Sequence, residues 1–260
     1  SLFLLSIAFI RFAKFRNYIS FIHLAISSKS RKWRQAIFLD LFLNDVHQSL
    51  LNKKNPNFSS IFLNAGAHIQ HHYLNNSKVK KEKSLNPEWY IPKTLDPFEE
   101  IIEVYDKIIG SYIDRKNYDI IIATGLTQKN NEKTEFYYRL KNHEEFLSIC
   151  GLKFKKIDPL MSRDFVIQYE TENQAIVEED KIKKIKTNDG KKLFEIVDNR
   201  GTSIFVSLTY NIEITDSTVI DNKKNSSIHL KDFVSFVAIK NGNHSGEGFA
   251  YYSDHIDKFA

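Results

Sequence analysis

Three histidines within five residues form the strongest chemical signal in the chain. His68, His71 and His72 are three of the nine histidines in the whole chain of 260 residues. On a helical turn, spacings of three and four residues place the imidazoles on one side. Imidazole is a common metal ligand, and its protonated form pairs with anions. The cluster therefore predicts a site for a metal ion or an anionic ligand, although such histidines also cap helices, pack against sheets or hydrogen-bond carbonyl groups.

Two helices are predicted near the cluster. An amphipathic pattern predicts a helix over residues 31–51, which Asn55-Pro56 ends. A second helix is predicted to begin with Asp96 as N-cap and Pro97 at the first helical position, and to continue toward Ile113.

Two apolar runs predict strands on either side of the second helix. Ser60–Leu63 leads into the histidines, and Tyr118–Ala123 leads into Thr124-Gly125. Continuous apolar runs are typical of central parallel strands. The strand–helix–strand order predicts an α/β fold with a doubly wound, mostly parallel sheet and helices on both faces. Ligands of such sheets bind at the carboxyl ends of the strands, where the histidines would lie.

The later sequence predicts a different organisation. Residues 160–212 contain short strand patterns, a helical pattern and the turn Asp198-Asn-Arg-Gly201, which together predict a small α+β subdomain or insertion. The α/β core would then occupy residues 1–159 and return over 213–260. In that last part, a strand over 232–239 runs into a glycine-rich loop over 240–248 that carries His244.

Composition narrows the function classes. The net charge of +5 and pI near 9.0 come from scattered lysines, so nucleic-acid binding is not expected. A single cysteine, Cys150, excludes an internal disulfide and a cysteine-based zinc cluster, and fits a cytoplasmic location. The apolar run Leu2–Ile10 is too short to span a bilayer and predicts a core helix, in a chain expected to continue upstream of residue 1.

The order of these motifs resembles the C-terminal half of the alkaline phosphatase superfamily, especially its type I phosphodiesterase and sulfatase-like branches. Members carry Asp-x-x-x-His after one strand, where this chain has Ala67 and His71, and Asp-His-Gly after the next, where it has Gly125-Leu126-Thr127. Their last metal ligand is a histidine in a glycine-rich loop, matching His244. The resemblance covers residues 30–255.

The resemblance implies a metal site with His71 and His244 as ligands and His68 as a possible third. Family members hold two metal ions, but Ala67, Gly125 and Leu126 offer no ligands here, so one zinc-like divalent site is expected. The nucleophile of the family would lie upstream of residue 1.

Two functions follow. The first is a metal-assisted hydrolase or transferase acting on phosphate or sulfate esters of small molecules or glycans. The second is a non-catalytic, degenerate member that binds an anionic ligand, glycan or protein partner. Arg163 and Arg200 are candidate anion-binding residues in either case, with loop-stiffening Arg–Asp pairs as the alternative.

Overall fold

The structure is a computed structural model that describes residues 2–80, 86–115, 117–220 and 228–253. The α-helices in these residues are α1 (Leu2–Phe12), α2 (Tyr18–Ser27), α3 (Trp33–Lys54), α4 (Ala65–Tyr73), α5 (Pro97–Ile113), α6 (His143–Ile149), α7 (Glu172–Ile182) and α8 (Leu230–Phe233). The strands are β1 (Ile121–Ala123), β2 (Thr127–Leu140), β3 (Lys156–Pro159), β4 (Asp164–Gln168), β5 (Ile196–Asn199), β6 (Ser203–Ser207), β7 (Val219–Ile220), β8 (Ile228–His229), β9 (Val234–Ser245) and β10 (Ala250–Tyr252).

The chain divides into two compact units. The first unit comprises residues 1–132 and 241–260, and the second comprises residues 133–240. The segment 160–212, predicted as a separate subdomain, lies wholly within the second unit. Strands β2 and β9 pair with each other, and each of them crosses the boundary along the chain.

The first unit is built mainly from helices α1 to α5. Both predicted helices are confirmed there. Helix α3 ends at Asn55, whose φ of 42° is left-handed, and α5 begins where the Asp96 carboxylate accepts hydrogen bonds from the N–H groups of Phe98 and Glu99 at 3.0 and 3.1 Å. The apolar faces of the helices meet in one core, which contains Phe21, Leu24, Trp33, Ile37, Leu41, Phe42, Ala65, Ile69, Tyr73, Ile91, Ile101 and Ile108.

The second unit is built around a four-stranded antiparallel sheet in the order β3-β4-β6-β5. Alternate residues of its central strands are fully buried, including Phe165 and Ile167 in β4 and Ile204 and Val206 in β6. This period of two is expected for a sheet with one face covered. The predicted turn Asp198–Gly201 is confirmed, because it joins the antiparallel strands β5 and β6 and Gly201 adopts φ of 84°.

The predicted doubly wound, mostly parallel sheet is wrong. The described strands form small sheets of two to four members that are mostly antiparallel. The expected strand at residues 60–63 is irregular, and its Phe62 is 78% exposed. The run 118–123 contributes only the short strand β1, which pairs antiparallel with β10. A strand–helix–strand crossover needs two buried strands, and neither run supplies one. Short apolar runs do not by themselves distinguish a buried strand from another apolar segment.

The glycine-rich loop predicted over residues 240–248 is also corrected. Strand β9 continues through this segment to Ser245, so His244 lies on a strand. Gly242 lies on the same strand, where a Cβ atom would come within 3.0 Å of both Gln128 Oε1 and the Gln70 carbonyl oxygen. The glycine therefore reflects close approach of neighbouring groups and not a turn.

The N-terminal apolar run forms α1 as a helix, but much of it is not core. Phe3 and Ile10 are 73% and 80% exposed, whereas Phe9 packs against the core of the first unit. In the part of the chain that the structure describes, no helix combines the length and apolar character needed to cross a bilayer.

Candidate functional site

Helix α4, which carries the three clustered histidines, is held at its N-terminus by a buried carboxylate. Asp40 of α3 accepts hydrogen bonds from the N–H groups of Ala65 at 2.8 Å and Asn64 at 3.3 Å. The Tyr105 hydroxyl donates to the same carboxylate at 2.7 Å. The first N–H groups of a helix have no partner within the helix, and a negative charge there is favoured by the helix dipole. Asp40 therefore fixes where α4 begins.

Gly66 allows a tyrosine to pack directly on this first turn. The Tyr105 hydroxyl accepts a hydrogen bond from the Gly66 N–H at 2.8 Å. A Cβ atom at residue 66 would lie 2.8 Å from Tyr105 Cε2, closer than van der Waals contact permits. Burial and the bond to Asp40 both raise the pKa of Tyr105, so its hydroxyl keeps its proton. Asp40, Gly66 and Tyr105 together set the position of the histidines that follow.

His71 and His244 lie against each other although they come from different elements. Their rings meet edge to face, with centroids 4.6 Å apart and an interplanar angle of 82°. The side-chain amide of Gln128, on β2, lies between them. Its Nε2 atom is 3.2 Å from His71 Nε2 and 3.1 Å from His244 Nδ1. Two imidazole nitrogens therefore converge on one point within the first unit.

The other nitrogen of His71 defines the tautomer of this ring. His71 Nδ1 lies 3.3 Å from the carbonyl oxygen of Gly242. A carbonyl oxygen can only accept, so neutral His71 carries its proton on Nδ1 and directs a lone pair from Nε2 toward Gln128. A histidine that binds a metal commonly donates its other N–H to a carbonyl or carboxylate in this way. His71 thus has the orientation that a metal ligand requires.

Gln128 is a site residue that the sequence reasoning missed. Its Nε2 carries two N–H groups and faces two imidazole nitrogens, whereas its Oε1 atom is buried and has no hydrogen-bond partner among the described residues. Turning the amide over would point Oε1 at the lone pair of His71 Nε2, which is favourable only with a proton or a metal ion between the two atoms. The one sequence signal was its position, four residues after Thr124, because glutamine is not a usual ligand type.

The Gln128 amide lies at hydrogen-bond distance from both imidazoles, a spacing that a small metal ion would widen slightly. Tetrahedral zinc with bonds of about 2.0–2.1 Å separates its ligand atoms by about 3.4 Å. The observed separations of 3.1 and 3.2 Å from the amide of Gln128 to the two imidazoles are close to this value. Two imidazoles and an amide oxygen would supply three ligands. The fourth position would face solvent, because His244 is exposed.

His68, named above as a possible third ligand, has a different neighbour. Its ring meets His72 with centroids 4.7 Å apart. Partial desolvation by the packed side chains, and then repulsion from His71, lowers the pKa of His68. Among the residues that the structure describes, no three His, Cys, Asp or Glu side chains are grouped as a metal site. A third ligand therefore has to come from another residue type, such as Gln128, or from a movement of His68.

The two candidate anion-binding arginines belong to the second unit and have their own partners. Arg163 lies over the Tyr137 ring, with its guanidinium carbon 4.4 Å from the ring centroid. Arg200 Nε donates to Asp198 at 2.8 Å, and its guanidinium carbon is 5.1 Å from the centroid of the Phe205 ring. The ion pair of Arg200 with Asp198 is the Arg–Asp pair predicted from the sequence as the alternative to anion binding.

Comparison with known proteins assigns no family. No protein-family model matches the chain, and neither the curated proteins nor the solved structures contain a match.

Proposed function

We propose that His71, His244 and Gln128 bind one divalent metal ion, zinc by preference, in a metal-assisted hydrolase or transferase acting on phosphate or sulfate esters. The convergence of His71 Nε2 and His244 Nδ1 on a single point carries this proposal. Imidazole nitrogen with a hard oxygen donor is a ligand set that zinc accepts. The order of motifs along the chain supports phosphate or sulfate esters as substrates. The antiparallel sheets give no support to this choice, because the resemblance implied a mostly parallel sheet.

Each residue would have a separate task. A bound divalent metal would polarise a phosphoryl or sulfuryl oxygen. His71, held through Nδ1 by the Gly242 carbonyl, supplies a fixed donor. With a metal ion bound, Gln128 would offer its amide oxygen in place of the nitrogen. Exposed His244 leaves one side open for a phosphorylated or sulfated small molecule or glycan.

Zinc titration tests the site directly. We expect calorimetry and elemental analysis to give one zinc per chain. His71→Ala and His244→Ala should each weaken zinc binding by at least about 100-fold, since changes to the outer partners of metal ligands alone cost about 10–100-fold. His229→Ala is the matched control, because His229 is exposed and contacts the Asp216 carbonyl at 3.1 Å in the second unit. Unchanged zinc binding in both site variants would refute the proposal.

Hydrolysis assays test the reaction. Chromogenic phosphate monoesters, phosphate diesters and sulfate esters should show turnover that requires zinc and is lost in His71→Ala. Stoichiometric zinc without turnover of any of these esters would reject a hydrolase that works with the residues of this chain alone.

A metal-free anion site is the second candidate. The loss of three ligand positions favours it, because Ala67 and Gly125 replace carboxylates of the family motifs and Leu126 replaces an imidazole. Binding of phosphate or sulfate in the presence of a chelator, with no zinc uptake, would support this function.

We place either activity in the cytoplasm on the basis of the single cysteine. Arg163 and Arg200 remain separate predictions as anion-binding residues.

A further inference from the structure

The two N-terminal helices each display an exposed apolar stripe. On α1 the stripe is Phe3, Ile7 and Ile10, which are 73%, 46% and 80% exposed. On α2 the stripe is formed at the same helical spacing by Ile19, Ile22 and Ile26, which are 84%, 60% and 71% exposed. Residues three and four apart lie on the same face of a helix. Single exposed apolar residues are ordinary, but two such stripes on adjacent helices mark an interaction surface.

The opposite faces of these helices are anchored in the core. Phe9 of α1 contacts Phe21 of α2, with ring centroids 5.0 Å apart, and contacts Phe42 of α3 at 5.5 Å. Phe21 and Leu24 are buried. The backbone of the linker is also held, because the Lys14 N–H donates to the buried carboxylate of Asp45 at 2.8 Å. Both helices therefore use one apolar face to pack on the core. The residues of the exposed stripes are not part of that face.

The charge of this segment is one-sided. The chain has 37 Lys and Arg and 32 Asp and Glu residues; seven of the basic residues and none of the acidic ones fall in residues 1–39. The rest of the chain consequently has a net charge of −2. Glu100 pairs with Arg31 at 3.5 Å and with Arg34 at 2.9 Å. The exposed cations that remain near the helix ends are Arg11, Arg16, Lys29 and Lys32.

We infer that α1 and α2 form a docking surface for an anionic lipid bilayer, with both helices lying in the plane of the interface. This surface is defined by the two stripes and the four exposed cations. Helices of 11 and 10 residues are too short to cross a bilayer, but apolar stripes flanked by Lys and Arg are typical of interfacial helices. A second copy of the chain is a poorer partner, because it would bring two positively charged segments together.

Vesicle co-sedimentation of the full chain tests the inference. We expect binding to vesicles of phosphatidylcholine and phosphatidylserine in equal parts, weak binding to phosphatidylcholine alone, and release as salt is raised. Ile19→Glu with Ile22→Glu should weaken binding at least about tenfold, because two isoleucines that would enter the bilayer are lost. The matched control is Ile176→Glu with Val177→Glu on α7, where the wild-type residues are 57% and 56% exposed.

Charge variants test the electrostatic part. Arg16→Gln and Lys32→Gln should each weaken binding about fivefold, the share expected of one cation near an anionic surface. Exposed Lys184 in the second unit provides the control, Lys184→Gln. The inference is overturned by absence of binding to anionic vesicles, or by equal binding to both vesicle types. Concentration-dependent dimerisation that Ile19→Glu with Ile22→Glu abolishes would assign the stripes to a second copy instead.

Discussion

The ring of His71 meets the ring of His244 edge to face, with centroids 4.6 Å apart, although one lies on helix α4 and the other on strand β9. Their inward nitrogens face the same amide nitrogen of Gln128. A pair of imidazoles with converging nitrogens is the smallest arrangement that can begin a metal site. The third group is the amide of Gln128, whose oxygen would suit a cation and whose N–H groups would suit an anion.

Replacing that amide by a carboxylate separates the two proposed functions. Gln128→Glu keeps the length of the side chain, removes the N–H donors and adds a negative charge. If the site binds zinc, we expect affinity to rise at least about tenfold, because an ionised oxygen ligand compensates the metal charge. If the site binds an anion, phosphate or sulfate binding should be lost through repulsion.

Calorimetric titration with zinc and with phosphate measures both outcomes for Gln128→Glu. Gln35→Glu is the control, because Gln35 is exposed on α3 and the change adds the same charge. Lower zinc affinity in Gln128→Glu, with the fold intact, would contradict the metal site.

Gly66 and Gly110 offer a matched test of how α4 is positioned. Both are helical, but a Cβ atom at residue 66 would meet Tyr105 Cε2 at 2.8 Å, whereas one at residue 110 would have nothing within 4 Å. Gly66→Ala should therefore reduce the free energy of unfolding by about 1–3 kcal/mol, the usual cost of overpacking. Gly110→Ala should raise it by up to about 1 kcal/mol, because alanine favours the helix.

Urea denaturation of the two variants measures these changes. A further reading comes from zinc affinity, which should fall in Gly66→Ala and stay constant in Gly110→Ala, since α4 carries His71. Equal effects of the two substitutions on stability would show that Tyr105 does not restrict residue 66.

Local signals in the sequence predicted local structure well. Asp96-Pro97 specified the start of α5, and Asp198–Gly201 specified a hairpin, because each depends on bonds among neighbouring residues. The sheet could not be predicted in this way. Residues 60–63 and 118–123 are apolar, but strand pairing depends on partners that are distant in the chain. Of these residues, only 121–123 form a strand, which pairs with β10.

The site was partly within reach of the sequence. His71 and His244 were selected as candidates by their residue type and their order, and the structure brings them together. Gln128 was not, because glutamine seldom binds metals and because the role of this residue depends on a strand whose partner lies elsewhere in the chain. Asp40 likewise gave no signal, since only the fold shows that its carboxylate lies at the start of α4.

Asp40 should be the most sensitive carboxylate of the first unit. It is 6% exposed and accepts hydrogen bonds from Ala65, Asn64 and Tyr105. Asp40→Ala leaves the buried N–H of Ala65 and the partly buried hydroxyl of Tyr105 without this acceptor, which should lower the free energy of unfolding by about 3 kcal/mol. Asp106→Ala on the exposed side of α5 should change it by less than about 0.5 kcal/mol. Denaturant unfolding monitored by circular dichroism measures both, and a small effect of Asp40→Ala would contradict its anchoring role.

His143 should make the second unit sensitive to mild acid. Its half-buried ring packs on Phe165, with centroids 4.9 Å apart, and burial lowers the pKa of this histidine. The unfolded chain, with a histidine pKa near about 6.5, therefore takes up a proton before the folded chain does. The stabilising contribution is complete above pH of about 6.5 and is lost as the pH falls toward the folded-state pKa. In His143→Gln this part of the pH dependence should disappear.

Measuring the free energy of unfolding of both proteins from neutral to acidic pH gives the difference curve. We expect the advantage of the wild type over His143→Gln to shrink as the pH falls, and a difference that stays constant would refute the assignment.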